Sequence, residues 1–170
     1  MHKTAMTVTN MILATTALCN ALMAGIFFAF SNPVMPGLKR LSDIEFLKSL
    51  QSITKVIQNP VFFIVFFGVL VLLPLCTFLN YEKPISTRFW LLLSATLIYL
   101  VGVFGVTIPG NIPMNEIPDK IDLMKIPAET ISLQRVNFEA KWNNLNMIRT
   151  IAAAVSLLMV ILSFVKPLKK

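Results

Sequence analysis

The sequence predicts an all-α protein: a four-helix transmembrane bundle, with an amphipathic helix in loop one and a long fourth helix extending out of the membrane. Three observations carry this reading. The 170 residues are 56% hydrophobic and only 14% charged, against about 25% charged in an ordinary soluble domain. The charges are segregated, since Thr4–Leu38, Val56–Tyr81, Phe89–Asn115 and Thr150–Val165 contain none. The first three stretches exceed the roughly 18–20 residues with which a helix crosses a bilayer, and the fourth is just short. Spans are expected at about 5–30, 61–79, 87–108 and 146–165, within a single membrane domain covering 1–170.

The first apolar run follows Lys3, as in a signal peptide. It is longer than the roughly 7–15 residues of a signal core and has no A-x-A-like site, so it reads as a span. Within it Ala17, Ala21, Gly25 and Ala29 recur every four residues, a small-residue stripe that lets a neighbouring helix approach closely. Asn10 and Asn20 need partners inside the membrane and serve either as interhelical hydrogen bonds or as a polar lining. Cys19 and Cys76 lie in spans without a CxxC pattern and read as packing residues. Pro33, Pro36 and Gly37 break the first helix.

Ser42-Asp43-Ile44-Glu45 reads as a capping box. The helix it opens runs to Gln58, with Ile44, Leu47, Leu50, Ile53 and Ile57 as its apolar stripe. Such a helix lies on the bundle or at the interface, where it can cover a cavity mouth. Asn59-Pro60 restarts the chain into the second span, whose first half is packed by Phe62, Phe63, Phe66 and Phe67. Asn80 to Pro84 is a short polar turn. The third span carries Trp90 near an interface and Tyr99 near its middle, a packed phenol with one hydrogen bond. It ends at Pro109-Gly110, and a charged, proline-punctuated loop runs from Glu116 to Pro127. From Ala128 no Pro or Gly interrupts the chain before Pro167, so one rod runs into the fourth span.

The net charge of +7, from 15 basic and 8 acidic residues, is explained by helix flanks rather than by a nucleic-acid partner. Lys3, Lys83, Arg88, Lys166, Lys169 and Lys170 share the face holding both termini, in short segments, which puts the termini in the cytoplasm. The expected setting is multi-pass in the plasma (inner) membrane, with membrane lipid as a partner. No metal site is expected, because the only histidine is His2 and no carboxylates have ligand spacing; histidine-ligated haem is disfavoured for the same reason.

Connectivity brings Phe30–Leu38, Asn111–Asn115 and Trp142–Arg149 to one end of the bundle, where a mostly apolar cavity with a few polar groups is the default site. Trp142, Asn146 and Arg149 are spaced i, i+4, i+7 and fall within about a 60° arc of one helix face. A span from Ile151 to Val165 places Arg149 at or just inside the bilayer boundary, where a guanidinium must reach headgroups, water or a partner. Two readings stand: a lining of indole, amide and guanidinium, or an interfacial Trp with a snorkelling Arg.

Gly25-Ile26-Phe27-Phe28-Ala29-Phe30-Ser31, Val34-Met35-Pro36-Gly37-Leu38, Asn59-Pro60, Asn111-Ile112-Pro113-Met114-Asn115 and Trp142 with Asn146 and Arg149, taken in order, resemble the anthrone oxygenase family of small four-helix membrane proteins. The resemblance implies the four-helix fold and, for some members, oxidation of polyphenolic anthrones to anthraquinones without an obvious metal or flavin, hence no cofactor. Leu145 is an aliphatic where many members are expected to carry an aromatic. Such chemistry needs an oxyanion pocket, for which Arg149, Asn146, Asn111 and Asn115 are the candidate catalytic residues. It needs an apolar slot for a hydrophobic aromatic small molecule, for which Trp142, Phe27, Phe28 and Phe30 are candidates, with Asn20 a further binding residue. The proton acceptor is Glu116 or a water held by the asparagines. The alternative is a non-catalytic membrane protein that binds a lipid, quinone or small hydrophobic ligand, or supports a complex, with Arg149 paired to Glu116, Glu139 or lipid phosphate.

Overall fold

The computed structural model describes residues 2–119, 123 and 125–165, and the side chains of 8–115, 123 and 125–165 among them. These residues form seven α-helices: α1 (His2–Ala29), α2 (Met35–Leu38), α3 (Asp43–Ile57), α4 (Pro60–Leu79), α5 (Thr87–Tyr99), α6 (Ile112–Asp119) and α7 (Ala128–Val165). Four continuous helical stretches are long and apolar enough to cross a membrane: Val8–Leu38, Pro60–Leu79, Thr87–Asn115 and Ala128–Val165. α1 packs on α4 and α7, and α5 packs on the same two, which closes a four-helix ring. Outward faces are apolar, as Val61, Ile64, Val71 and Phe78 of α4 illustrate. The protein is therefore a multi-pass membrane protein.

The expected helix breaks do not occur. Pro33 does not stop the first span, because Phe30–Val34 widens into a π-helical turn in which the Met35 N–H reaches Phe30 O. A π turn accommodates a proline, which lacks an N–H and crowds the carbonyl one turn back. Pro36 then falls near the start of α2, where its missing N–H costs nothing. Pro109-Gly110 does not end the third span either. Two π-helical turns, Leu100–Phe104 and Thr107–Asn111, carry it on, and the N–H of Ile112 reaches Thr107 O. The helix persists through α6 to Asp119, so the loop begins later than Glu116.

Other local readings hold. Ser42 and Glu45 form the capping box of α3. Asn59 caps α4 by accepting from the N–H of Phe62 at 3.0 Å. α7 is one uninterrupted helix. Tyr99 is buried and donates to Phe66 O at 3.5 Å. The small-residue stripe is only partly engaged: Ala21 and Gly25 are exposed, Ala17 and Ala29 are half-buried, and the buried face of α1 is Leu13, Thr16, Asn20, Met23 and Phe27. Close approach happens elsewhere. A Cβ at Gly102 would stand 2.5 Å from the Ala152 Cβ, so α7 crosses the third span on that glycine.

Polar side chains tie the ring from inside. Asn20 donates to Ser156 Oγ at 3.0 Å, which donates to Ala95 O at 3.0 Å, so α1, α7 and α5 are joined at one level. Thr77 and Thr96 join α4 to α5 at 3.0 Å, and Thr16 meets Cys76 at 3.2 Å. Arg88, expected to be a flanking charge, is 5% exposed and donates to Asn10 Oδ1 at 3.3 Å. Lys166, Lys169 and Lys170 lie outside the described residues.

Candidate functional site

The three segments expected to converge do so, around a cavity of about 90 Å³. Its floor and walls come from the bundle: Phe27 and Phe30 from the first span, Phe62 from α4, Thr107 and Asn111 from the second π turn of the third span, and Trp142 and Arg149 from α7. Its remaining wall is α3, through Leu50, Ile53, Thr54 and Ile57, with Gln58 just beyond its end. The inner edge of α3 is rotated from the expected stripe, with Phe46, Leu47, Leu50 and Thr54 as its buried residues.

Arg149 is 7% exposed and faces this cavity. Its Nη2 donates to Asn146 Oδ1 at 2.7 Å. Its guanidinium carbon lies 4.7 Å from the Phe27 ring centroid and 5.6 Å from that of Trp142. Among the described residues no carboxylate forms an ion pair with it, and its buried Nε has no partner. Glu139, one of the acids considered for it, pairs instead with Arg135 at 3.3 Å; the side chain of Glu116 lies outside the described residues. The cation is thus held by an amide oxygen and two ring faces. Those contacts are each worth about 1–2 kcal/mol in a desolvated setting, and among the described residues none supplies a counter-charge.

Asn146 does not line the cavity; it positions the residue that does. Its Nδ2 donates to Phe27 O at 3.0 Å and to Ser31 Oγ at 2.8 Å, locking α7 to the first span where the π turn begins. Inserting a side chain into the backbone ladder is one known cause of a widened turn. Ser31 also meets Thr150 Oγ1 at 3.0 Å, and Thr150 donates to Asn146 O at 2.8 Å. Trp142 is 4% exposed, donates from Nε1 to Asn115 Oδ1 at 2.9 Å, and packs between Phe30 and Phe138 with centroids at 5.5 and 6.1 Å. Asn111 is 1% exposed, and among the described residues neither of its side-chain polar atoms has a partner.

Two candidates stand apart from the cavity. Phe28 is 58% exposed and lines an outer groove between α1 and α7, because one residue along a helix turns the side chain about 100° from Phe27. Asn20 lies outside the lining and bonds Ser156. Leu145 also stays out of the lining; it fills the space over Gly110, where a Cβ would meet its Cδ1 at 2.9 Å.

The α3 helix covers the cavity as expected of it, but sequence reasoning passed over Thr107 and above all Arg135. The Arg135 Nη1 donates to Leu41 O at 2.8 Å and to Asp43 Oδ1 at 2.9 Å, its Nη2 donates to Lys39 O at 2.7 Å, and its guanidinium lies 4.6 Å from the Phe46 ring centroid. This clamp fixes the start of α3 against α7. Its sequence signal was the lone Arg four residues before Glu139, which reads only as a surface pair.

A ring of four spans that closes, with one added helix, around a largely apolar cavity faced by a buried arginine, with no acid partner among the described residues, defines a small membrane protein with an internal cavity. Among the described residues no group of three or more His, Cys, Asp or Glu gathers as a metal would need. The family model for anthrone oxygenase matches residues 61–159, more than half of the chain, and the protein belongs to that family. No curated protein and no solved structure matches it.

Proposed function

We propose that the cavity binds a hydrophobic aromatic with an acidic oxygen as its anion, held at Arg149, and presents it to dioxygen. The observation that carries this is the burial of Arg149 in an apolar chamber with no acid partner among the described residues. A buried cation so placed favours an anionic ligand, and it favours the deprotonated form of a phenol or enol over the neutral one. In an anthrone-type substrate the methylene loses a proton to give a delocalised carbanion-phenolate. That carbanion reacts with dioxygen. The methylene becomes a carbonyl and the second oxygen atom leaves as water, so the ring system supplies the electrons.

The chamber volume adds a requirement. It is smaller than the ~150 Å³ cavity that admits benzene, so an aromatic ligand, single-ring or polycyclic, enters only as the α3 wall moves. α3 is the element placed to do this, since it lies outside the ring of four spans.

A second reading, ligand binding without turnover, is favoured by the lining itself. Among the described residues lining the cavity none is an Asp, Glu or His, so none of these side chains serves as an ordinary proton acceptor.

Dioxygen uptake by the protein in lipid nanodiscs, with an anthrone as substrate, separates the two. Turnover above the spontaneous background, falling about 10²–10³-fold in Arg149→Met, is the expected result. Uptake equal to background, with ligand binding intact, leaves the non-catalytic reading.

A further inference from the structure

Asn111 is buried in the lining of the chamber that Arg149 also faces. Both halves of its amide are unsatisfied, a costly arrangement for a group that is 1% exposed. Other buried amides bond: Asn146 as described, Asn80 to Cys76 O at 2.7 Å, and Asn20 through its nitrogen to Ser156. Most other polar groups of the lining are committed or one-sided, and Thr54 adds a single buried hydroxyl on the α3 wall. Thr107 donates its hydroxyl to Val103 O at 2.7 Å, Asn115 Oδ1 accepts from Trp142, and a guanidinium only donates. Gln58 is exposed at the outer wall. Asn111 is therefore the buried amide of the lining whose acceptor and donor atoms both lack a partner among the described residues, free to accept and to donate toward a ligand.

We propose that Asn111 is the specificity-determining residue of this chamber, reading a protonated hydroxyl on an aromatic whose anionic oxygen sits at Arg149. The ligand class is then an aromatic anion with a second, protonated oxygen. Quinones, which offer acceptors alone, and single-oxygen anions leave the Asn111 oxygen unpaired. This rests on the reading of Arg149 as the anion partner.

Single-ring probes test it without requiring turnover. The chain has two tryptophans; Trp90 is 54% exposed and away from the chamber, so a Trp90→Phe background makes Trp142 the sole reporter. Binding of benzoate, 3- and 4-hydroxybenzoate and 3-methoxybenzoate is measured by Trp142 fluorescence in nanodiscs. Benzoate is already anionic at neutral pH, and a hydroxyl at either position cannot bond its own carboxylate. At least one hydroxybenzoate is expected to bind roughly five- to tenfold tighter than benzoate and 3-methoxybenzoate. In Asn111→Leu the ratio of hydroxybenzoate to benzoate affinity falls to about one. A wild-type hydroxyl effect under about twofold, or a ratio that survives Asn111→Leu, overturns the role of Asn111. The wild-type comparison with 3-methoxybenzoate stands even if that variant does not fold. Failure of the underlying anion reading looks different: benzoate itself does not bind, or binds Arg149→Met as tightly as wild type.

Discussion

The side-chain oxygen of Asn146 accepts from Nη2 of Arg149 at 2.7 Å, while the nitrogen of the same amide bonds Phe27 O and Ser31 on the facing helix. One amide thus fixes the guanidinium along its own helix and anchors that helix to the first span. The guanidinium has two ring faces over it, so its orientation follows from the amide and from the packing of Phe27 and Trp142 together.

Asn146→Leu should therefore do more harm than its size suggests. It removes three hydrogen bonds and leaves Phe27 O without its side-chain partner, a loss of roughly 1–3 kcal/mol. Ser31→Ala removes two interhelical hydrogen bonds, to Asn146 and Thr150, but none to a charge, and should cost about 1 kcal/mol, at the roughly 0.6 kcal/mol usual for each such bond in membranes. Reversible unfolding in mixed detergent measures both, and equal costs would contradict the central place given to Asn146.

Two glycines should respond to the same substitution with opposite signs. Gly102→Ala places a Cβ 2.5 Å from that of Ala152 and forces α7 outward, at about 1–3 kcal/mol. Ala152→Gly in the same chain should recover most of that loss. A Cβ at Gly25 meets nothing within 4 Å, so Gly25→Ala should stabilise by roughly 0.5–1 kcal/mol through helix propensity alone. Thermal unfolding of the three variants checks the signs.

Arg135 should govern α3. Arg135→Lys keeps the charge but not the planar fork that reaches Leu41 O, Asp43 and Lys39 O together. Amide exchange across Asp43–Ile57 is expected to quicken by tenfold or more, with exchange in α4 and α5 unchanged. Bound hydroxybenzoate should slow exchange in the second half of α3, which forms the chamber wall. No change in either case would show that the clamp does not hold this helix.

Much of this was legible in the chain. Long charge-free runs announce the spans because lipid tolerates little else, and capping signals at Ser42 and Asn59 are local enough to read directly. The line from Trp142 to Arg149 follows from helical periodicity. What stayed hidden depended on distant partners or on small rotations. Pro33 and Pro109 read as breaks, because nothing local tells a π turn from a helix end. Phe27 and Phe28 are alike in composition and differ only by their angle about the axis. The small residues of α1 fit close packing equally well as a lipid-facing groove. Arg88 reads as a flanking charge until Asn10, on another helix, supplies its acceptor.

The capping box gives a pH dependence with a definite sign. The Ser42 hydroxyl and backbone N–H both bond the Glu45 carboxylate and hold its pKa below the ordinary 4.5. A depressed folded pKa contributes stability that is present above the ordinary value and lost as pH falls through the folded one. Exchange in the first turn of α3 should therefore rise as pH drops below 4.5, after correction for intrinsic exchange. In Ser42→Ala this rise should be smaller, since the carboxylate has already lost its main partner.

The most direct measurement concerns the Arg149 guanidinium itself. In arginine-labelled protein in nanodiscs, its Nε–H resonance, assigned by its loss in Arg149→Met, should be protected from solvent and displaced by the rings of Phe27 and Trp142. It should move again when an aromatic carboxylate is added. An Nε–H that exchanges as fast as that of exposed Arg40 and ignores the ligand would contradict the chamber.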